Sequence, residues 1–158
     1  MLKILIAVDF SDATSDVVDY AGKLAATAGG SLHLLHVVEP TIAYDVAGVF
    51  TEDVAVPALN PEETCTIKQL ADARLQKMAE SLQIQWGVQT AAVAVDEFDK
   101  AAAILSYAKE NAISMIVVGN HNHSFLSSIL LGSVAESVIR HSGIPVLVVP
   151  FKEQGGKA

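Results

Sequence analysis

The sequence has one cysteine, few basic residues and no long apolar run. Cys65 has no second cysteine to pair with, which excludes an internal disulfide and fits a reducing compartment. No apolar stretch approaches the roughly 18 residues that span a bilayer. The start Met1-Leu2-Lys3-Ile4 leads into a strand-like segment without the small-residue cleavage site of a secretory signal. These absences predict a cytoplasmic protein with no membrane partner.

Positive charge is also scarce. Ten Lys and Arg residues face eighteen Asp and Glu residues, which gives a net charge of -8. Such a protein repels nucleic acid backbones, so no nucleic acid partner is expected. A phosphate ligand would have to be held by backbone N–H groups and helix ends rather than by a field of lysines and arginines.

Several enzyme motifs are missing from the sequence. It contains neither the Gly-Lys-Ser/Thr ending of a Walker A loop nor a GxGxxG after a strand, which argues against ordinary P-loop and dinucleotide chemistry. A GxSxG elbow is also absent, so Ser133 has no nucleophile setting and acyl transfer is not expected.

A continuous apolar run and a second run that is interrupted only by His33 and His36 are typical of buried strands near the start of the chain. They occupy residues 4–8 and 32–38 and are rich in aliphatic side chains. Between them, apolar residues recur at helical spacing, with Ser11 or Asp12 as the predicted N-cap and Gly29-Gly30 as the end. A helix between two buried strands is a βαβ unit, which makes the strands parallel.

The same alternation continues along the chain and predicts five strands and four helices in all. The later elements are a helix from Pro61 to Leu82, a strand over 88–95, a helix over 99–111, a strand over 114–118, a helix over 133–141 and a strand over 145–149. This order predicts one α/β domain over residues 1–150, a doubly wound parallel sheet with helices on both faces. Residues 151–158 are expected to form a flexible tail.

The pattern breaks down between Glu39 and Asn60. This segment is predicted to be a long surface excursion, either a lid or partner surface or a poorly ordered insertion. Ligands of doubly wound sheets bind at the carboxyl ends of the strands, where the strand order reverses. Asp9, Val37 and Gly119 lie at such ends.

Histidines offer a metal site as one alternative. His121 and His123 form an HxH pair to which His36 or Asp9 would add a third ligand, a set that suits zinc or iron. Loop histidines one residue apart are also common without metal, and no metal site is predicted.

The loop from Gly119 to Ser133 is the strongest candidate ligand site. It runs from a strand end to a helix start, where free N–H groups and a partial positive charge favour a phosphate. Gly132 permits close approach of a ligand and Ser133 adds a hydroxyl donor. The competing interpretation is a capping box, in which Ser133 and Glu136 satisfy each other's backbone donors.

This loop, together with Ala7-Val8-Asp9-Phe10-Ser11, Gly132-Ser133-Val134-Ala135-Glu136 and Pro145-Val146-Leu147-Val148-Val149, resembles the universal stress protein family over essentially the whole chain. The resemblance implies a five-stranded sheet of order 3-2-1-4-5, like that of the adenine nucleotide alpha hydrolases. It also implies a homodimer that pairs the last strand of each subunit. The implied ligand is ATP or AMP, with or without Mg²⁺.

Carried over by position, the resemblance places Ala7 beside the adenine, Asp9 at the ribose and the Val37 backbone on the base. Phosphate contacts are implied for Gly119, Gly132 and Ser133. Asn122, His123 and Val134 complete the implied binding set. The family spacing of Gly-x-x-Gly, nine residues and Gly-Ser is kept, but Asn122 replaces the second glycine and Phe125 adds bulk. Asn tolerates left-handed backbone angles best among the other residues, so the turn is expected to persist.

These residues predict a protein that binds an adenine nucleotide as a signal. No general base or metal cage is evident in the sequence, so no enzyme is expected beyond slow ATP hydrolysis at most. The alternative is an interaction module of the same family that works without nucleotide. A phosphoacceptor receiver domain would use Asp9, Asp96 and Lys152, but the acid pair that it needs after the first strand is missing.

Overall fold

The computed structural model describes residues 1–40, 61–120 and 131–150, and describes the side chains of the second range from residue 67 onward. In chain order the elements are β1 (Lys3–Ala7), α1 (Thr14–Ala28), β2 (Ser31–Val38), α2 (Pro61–Trp86), β3 (Thr90–Asp96), α3 (Lys100–Glu110), β4 (Met115–Asn120), α4 (Ser133–His141) and β5 (Val146–Pro150). Most of the predicted excursion between Glu39 and Asn60 and the whole predicted tail lie outside the described residues, as do residues 121–130.

The sheet has the order β3-β2-β1-β4-β5, and every neighbouring pair is parallel. Both features confirm the predicted doubly wound fold. Ile6 of β1 is the register partner of Leu34 on one side and Val117 on the other, and all three are fully buried. Central parallel strands are covered on both faces, which is why these segments read as unbroken apolar runs. The carboxyl ends of β1, β2 and β4 therefore meet at one edge of the sheet.

Helices cover both faces of the sheet and enclose two apolar cores. On one face, α1 and α2 supply buried residues such as Val17 and Leu75. On the other face, α3 and α4 supply Ile104 and Val138. Side chains of β1 alternate between the two cores, with Ile4 and Ile6 in the first and Leu5 in the second.

Helix α1 ends as predicted and begins differently. Gly29 takes the left-handed conformation at φ 63°, a C-cap that glycine adopts at little cost. The predicted cap by Ser11 or Asp12 is wrong, because Ala13 occupies the N-cap position and no side chain caps this end. The Asp9 carboxylate competes for the local donors, since its Oδ1 accepts the Ser11 N–H at 3.0 Å and the Thr14 hydroxyl at 3.2 Å.

His33 has a structural role, as its place in an apolar strand suggests. Its Nδ1 lies 2.9 Å from the Tyr107 hydroxyl oxygen, and the two rings meet edge to face. Burial lowers the pKa of His33, and the nearby Lys3 ammonium lowers it further. The lowered pKa favours the neutral ring. Burial raises the pKa of Tyr107, which keeps that hydroxyl protonated.

Candidate functional site

A cavity of about 280 Å³ lies at the carboxyl edge of the sheet, between the ends of β1, β2 and β4 and the starts of α3 and α4. It is lined by Ala7, Val8, Asp9, Leu35, His36, Val37, Lys100, Ile104, Val118, Gly119, Gly132, Ser133, Val134 and Ala135. Seven of the nine residues expected to bind nucleotide are in this lining; the other two, Asn122 and His123, lie outside the described residues. Strand order brings these seven together, because β1 lies between β2 and β4.

The wall formed by the strands is largely apolar. Val37 and Val118 are buried in the core beneath α3 and α4, and Ile104 of α3 packs in the same cluster. Mostly apolar walls with a few placed polar groups are characteristic of small-molecule sites. This part of the cavity suits a flat, uncharged group such as a purine base.

Asp9 follows β1 and is the one carboxylate that the described part of the chain contributes to the cavity lining. The hydrogen bonds from Ser11 and Thr14 fix its side chain although the residue is exposed. A carboxylate held in this way is an acceptor for a ligand hydroxyl at a set position. The arrangement is compatible with the ribose contact implied by the family resemblance.

The turn after Asp9 is strained. Phe10 has φ 57°, a left-handed conformation that is rare for a bulky residue and costs about 1–3 kcal/mol. Its ring lies 4.5 Å from that of His36 between centroids, and the Arg74 guanidinium carbon lies 4.0 Å from its centroid. The His36 Nδ1–H donates to the Val8 carbonyl oxygen at 2.7 Å. These contacts hold the strained turn, and with it Asp9, in place.

Helix α4 begins at the opposite wall. Gly132 is its N-cap and makes no side-chain capping hydrogen bond, and the first hydrogen bond of the helix runs from the Glu136 N–H to the Gly132 carbonyl. The competing capping-box interpretation is therefore wrong: Ser133 is the first helical residue, and the Glu136 carboxylate accepts from Arg140 at 2.6 Å instead. Residues four apart are neighbours on a helix surface, and the opposite charges of Glu136 and Arg140 favour this pair over the capping bond.

As a result, the N–H groups of Ser133, Val134 and Ala135 precede the first N–H that donates within the helix, that of Glu136, and the three residues line the cavity. A Cβ added to Gly132 would meet no atom of the described residues within 4 Å. The φ of -60° and ψ of 152° at Gly132 suit any residue, so the backbone does not require glycine here. The open space in front of the helix fits an anionic group approaching its positive end.

Seven of the fourteen lining residues were not predicted from the sequence, and two of these seven, His36 and Lys100, are polar. His36 was considered only as a metal ligand, and Lys100 was not considered at all. The one available signal for Lys100 was its position at the start of the helix that follows β3, since helices after parallel strands begin at the ligand edge.

The metal alternative gains no support from the part of the chain that the structure describes. No group of three or more histidine, cysteine or acidic side chains is placed there to hold a metal ion. His121 and His123 lie outside the described residues. His36 uses its Nδ1 in the hydrogen bond to Val8.

Comparison with known sequences gives one consistent result. A profile of the Universal stress protein family matches residues 1–150. Universal stress protein YxiE of Bacillus subtilis is 31% identical over 147 residues, which cover 93% of this chain and 97% of that protein. Universal stress protein MJ0531 of Methanocaldococcus jannaschii is 32% identical over 155 residues, covering 96% of this chain and 84% of that protein.

Solved structures agree with the sequence comparison. The structure of the protein MJ0577 has a TM-score of 0.75 at 25% identity and covers 96% of each chain. Two others share the fold at lower identity: a universal stress protein in complex with cAMP, at TM-score 0.65 and 23% identity, and one from Archaeoglobus fulgidus in complex with dAMP, at TM-score 0.62 and 21% identity. They cover 94% of this chain and 96% and 97% of their own chains, respectively.

Proposed function

Because the chain belongs to the universal stress protein family, we propose that its cavity binds an adenine nucleotide, ATP or AMP, as a signal. The observation that carries this proposal is the uncapped N-terminus of α4 facing the cavity, with open space at Gly132. An anion there gains backbone donors and the helix dipole without any cluster of basic residues.

The two ends of the cavity match the two ends of such a ligand. The apolar wall that includes Ala7, Val37 and Val118 suits the base, and Asp9 between the walls suits a ribose hydroxyl. Gly119, Gly132, Ser133 and Val134 would contact the phosphates, with Asn122 and His123 completing the site. Two structural relatives of the same fold contain cAMP and dAMP, which supports an adenine nucleotide as the ligand class.

The proposed role is signalling, with at most slow hydrolysis. Asp9 is the carboxylate in the described lining, and its Oδ1 already accepts two hydrogen bonds, which makes it a positioning acceptor rather than a base. Mg²⁺ is proposed only as a companion of ATP, held by its phosphates. None of the helices in the described ranges is long and apolar enough to cross a membrane. The cytoplasm is the proposed location, and nucleic acid is not a proposed partner.

A homodimer through β5 is part of the proposal. In the described sheet β5 pairs with β4 alone, so its other edge offers backbone donors and acceptors to a second copy. Beside it, Leu147 and Val149 line a groove of about 680 Å³ with Tyr20 and Leu24 of α1. Tyr20 is 54% exposed, an apolar area that a partner subunit would cover. Native mass spectrometry at several protein concentrations tests the dimer.

Isothermal titration calorimetry with ATP, AMP, adenosine and GTP, each with and without Mg²⁺, tests the nucleotide site. We expect saturable binding of the adenine nucleotides and weaker binding of GTP, because the apolar wall lacks groups for the additional guanine donors. Absence of heat with millimolar ATP and AMP would contradict the proposal. It would leave the family's nucleotide-independent interaction module as the function.

A glycine restored at position 122 separates these two functions. If Asn122 weakens an existing site, Asn122→Gly strengthens ATP binding, because glycine admits a phosphate closer to the backbone. If the parent protein binds no ATP but Asn122→Gly does, the pocket was lost by this substitution and the interaction module is favoured. Gly143→Asn is the matched control, since a Cβ at Gly143 meets no described atom within 4 Å.

A further inference from the structure

Lys100 is the first residue of α3 and lies where two cavities meet. It lines the nucleotide cavity together with Ser133 and Val134 at the start of α4. The same three residues line an adjoining cleft of about 540 Å³, which Glu39 and Phe98 help to form. Lys100 thus shares both linings with the start of α4, where phosphates are proposed to bind.

The fold itself does not explain a lysine at this position. The N-terminus of a helix carries a partial positive charge and favours acidic residues, yet α3 has none in its first turn. Asp99 caps the helix, and Lys100 takes part in neither of the two ion pairs among the described residues. A residue that opposes a local rule without a structural gain is a candidate for function.

The charges around the cavity indicate what that function is. Among the residues that the structure describes, its lining has one anionic side chain, Asp9, and one cationic side chain, Lys100. The protein as a whole has a net charge of -8, which opposes the approach of a nucleotide. A lysine beside the N-terminus of α4 is the local positive charge that offsets this repulsion.

We infer that Lys100 pairs with a phosphate of the bound nucleotide and makes the site select phosphorylated adenosine over adenosine itself. The inference rests on the proposed function and adds a specificity residue to it. Charge-assisted hydrogen bonds to phosphate are stronger than neutral ones, and a lysine acts on phosphate as a point charge. The nucleoside part lies toward the strands and is not expected to depend on Lys100.

Calorimetric titration of adenosine, AMP and ATP into the parent protein, Lys100→Gln and Lys100→Glu tests this role. We expect Lys100→Gln to weaken ATP binding about 10-fold and to leave adenosine binding within about twofold. Lys100→Glu should weaken ATP binding further without lowering Tm, because an acid suits the start of α3. Lys109→Gln, in the last turn of the same helix, removes the same charge away from the cavity and should leave ATP binding unchanged.

The outcomes separate the inference from the proposed function. If the parent binds ATP and Lys100→Gln binds it equally well, the inference is wrong while the nucleotide site stands. Equal loss of adenosine and ATP affinity would also overturn it, because Lys100 would then act on the shape of the site. If the parent binds no adenine compound, both fail together. A salt dependence of ATP affinity that is shallower in Lys100→Gln than in the parent supports the phosphate contact.

Discussion

Helices α3 and α4 start side by side at the carboxyl edge of the sheet, and their first turns are built in opposite ways. At α3, the Asp99 carboxylate accepts the Ala102 N–H at 3.0 Å, a conventional side-chain cap. At α4, Gly132 has no side chain with which to cap, and Ser133 does not replace it. The first turn of α3 has a side-chain acceptor from the protein itself. The first N–H groups of α4 have no side-chain cap, and their residues line the cavity. The comparison is consistent with the proposal that a ligand binds at the start of α4.

The charges of the two ends follow the same division. The capped end carries a lysine at its first position, whereas the uncapped end begins with the small, neutral residues Gly132 and Ser133 at the positive end of the dipole, and the Glu136 carboxylate of its first turn is paired with Arg140. Both arrangements increase the positive potential in the space between the helices. That potential arises from single, placed groups in an acidic protein, which suits selective binding of an anion better than general attraction to polyanions.

The largest effect is expected from giving α4 the cap that α3 has. Gly132→Asp would satisfy the first turn internally and place a carboxylate where the phosphate is proposed to bind. We expect ATP affinity to fall about 100-fold or more, from repulsion at a few ångströms, while Tm is kept or raised. Calorimetry and thermal melting measure the two quantities. Gly143→Asp carries the same charge change away from the cavity, and an equal loss of affinity in it would refute the explanation.

A second change contrasts Gly132 with a glycine that the fold does require. A Cβ at Gly22 of α1 would lie 2.7 Å from Trp86 Cδ1 and 2.9 Å from Leu82 Cδ2. Even though alanine favours helix, we expect Gly22→Ala to lower the free energy of unfolding by about 1–2 kcal/mol. Gly132→Ala should leave it unchanged and weaken ATP binding instead. Urea denaturation of both variants measures the free energy of unfolding. Similar losses in the two variants would contradict the distinction between a structural Gly22 and a ligand-facing Gly132.

Removing the cap of α3 should affect stability and leave the ligand site largely intact. We expect Asp99→Ala to lower the free energy of unfolding by about 1 kcal/mol, a fall in Tm of roughly 2–4 °C. Asp99→Asn retains an oxygen acceptor and should recover most of this loss. ATP affinity, measured well below Tm, is expected to stay within about threefold. A large loss of affinity with unchanged Tm would mean that Asp99, too, belongs to the binding site.

The smallest effect is expected from a change at His33, near the amino end of β2 and away from the starts of α3 and α4. The pKa of His33 is lowered in the folded protein, so its contribution to stability is complete above the unfolded-state value of about 6.5. That contribution is lost as the pH falls from there through the lowered folded-state pKa. The stability of the parent relative to His33→Asn, from urea melts between about pH 8 and pH 5, should therefore decrease toward acid. A flat difference across this range would refute the assignment.

The fold was predictable from sequence to a large extent, and the reasons are local. Buried parallel strands produce unbroken apolar runs, as at Ile4-Leu5-Ile6, and Gly29-Gly30 marks the end of α1 in the way that left-handed caps usually do. The errors were small and had one cause. Side chains near helix starts had more than one possible partner: Thr14 bonds to Asp9 and Glu136 to Arg140, where the sequence suggested other caps.

The candidate site was less predictable. Its predicted members came from strand ends, from one loop and from a resemblance, and seven of the nine line one cavity. Lys100 was missed because no short motif contains it. A lysine at a helix start also indicates no particular function until its neighbours in space are known. Phe10 gave no signal either, since its left-handed backbone is a property of the folded turn.

By itself the sequence determined the order and type of the elements, the family and the acidic character of the chain, because all of these depend on local pattern and composition. The tertiary structure alone decided which helix start is capped and which is open, since Asp99 and Gly132 differ in partners as well as in identity. It also decided that Lys100 lies beside Ser133, more than thirty residues away along the chain. Non-local proximity of this kind arises from strand order, which no segment of the chain encodes alone.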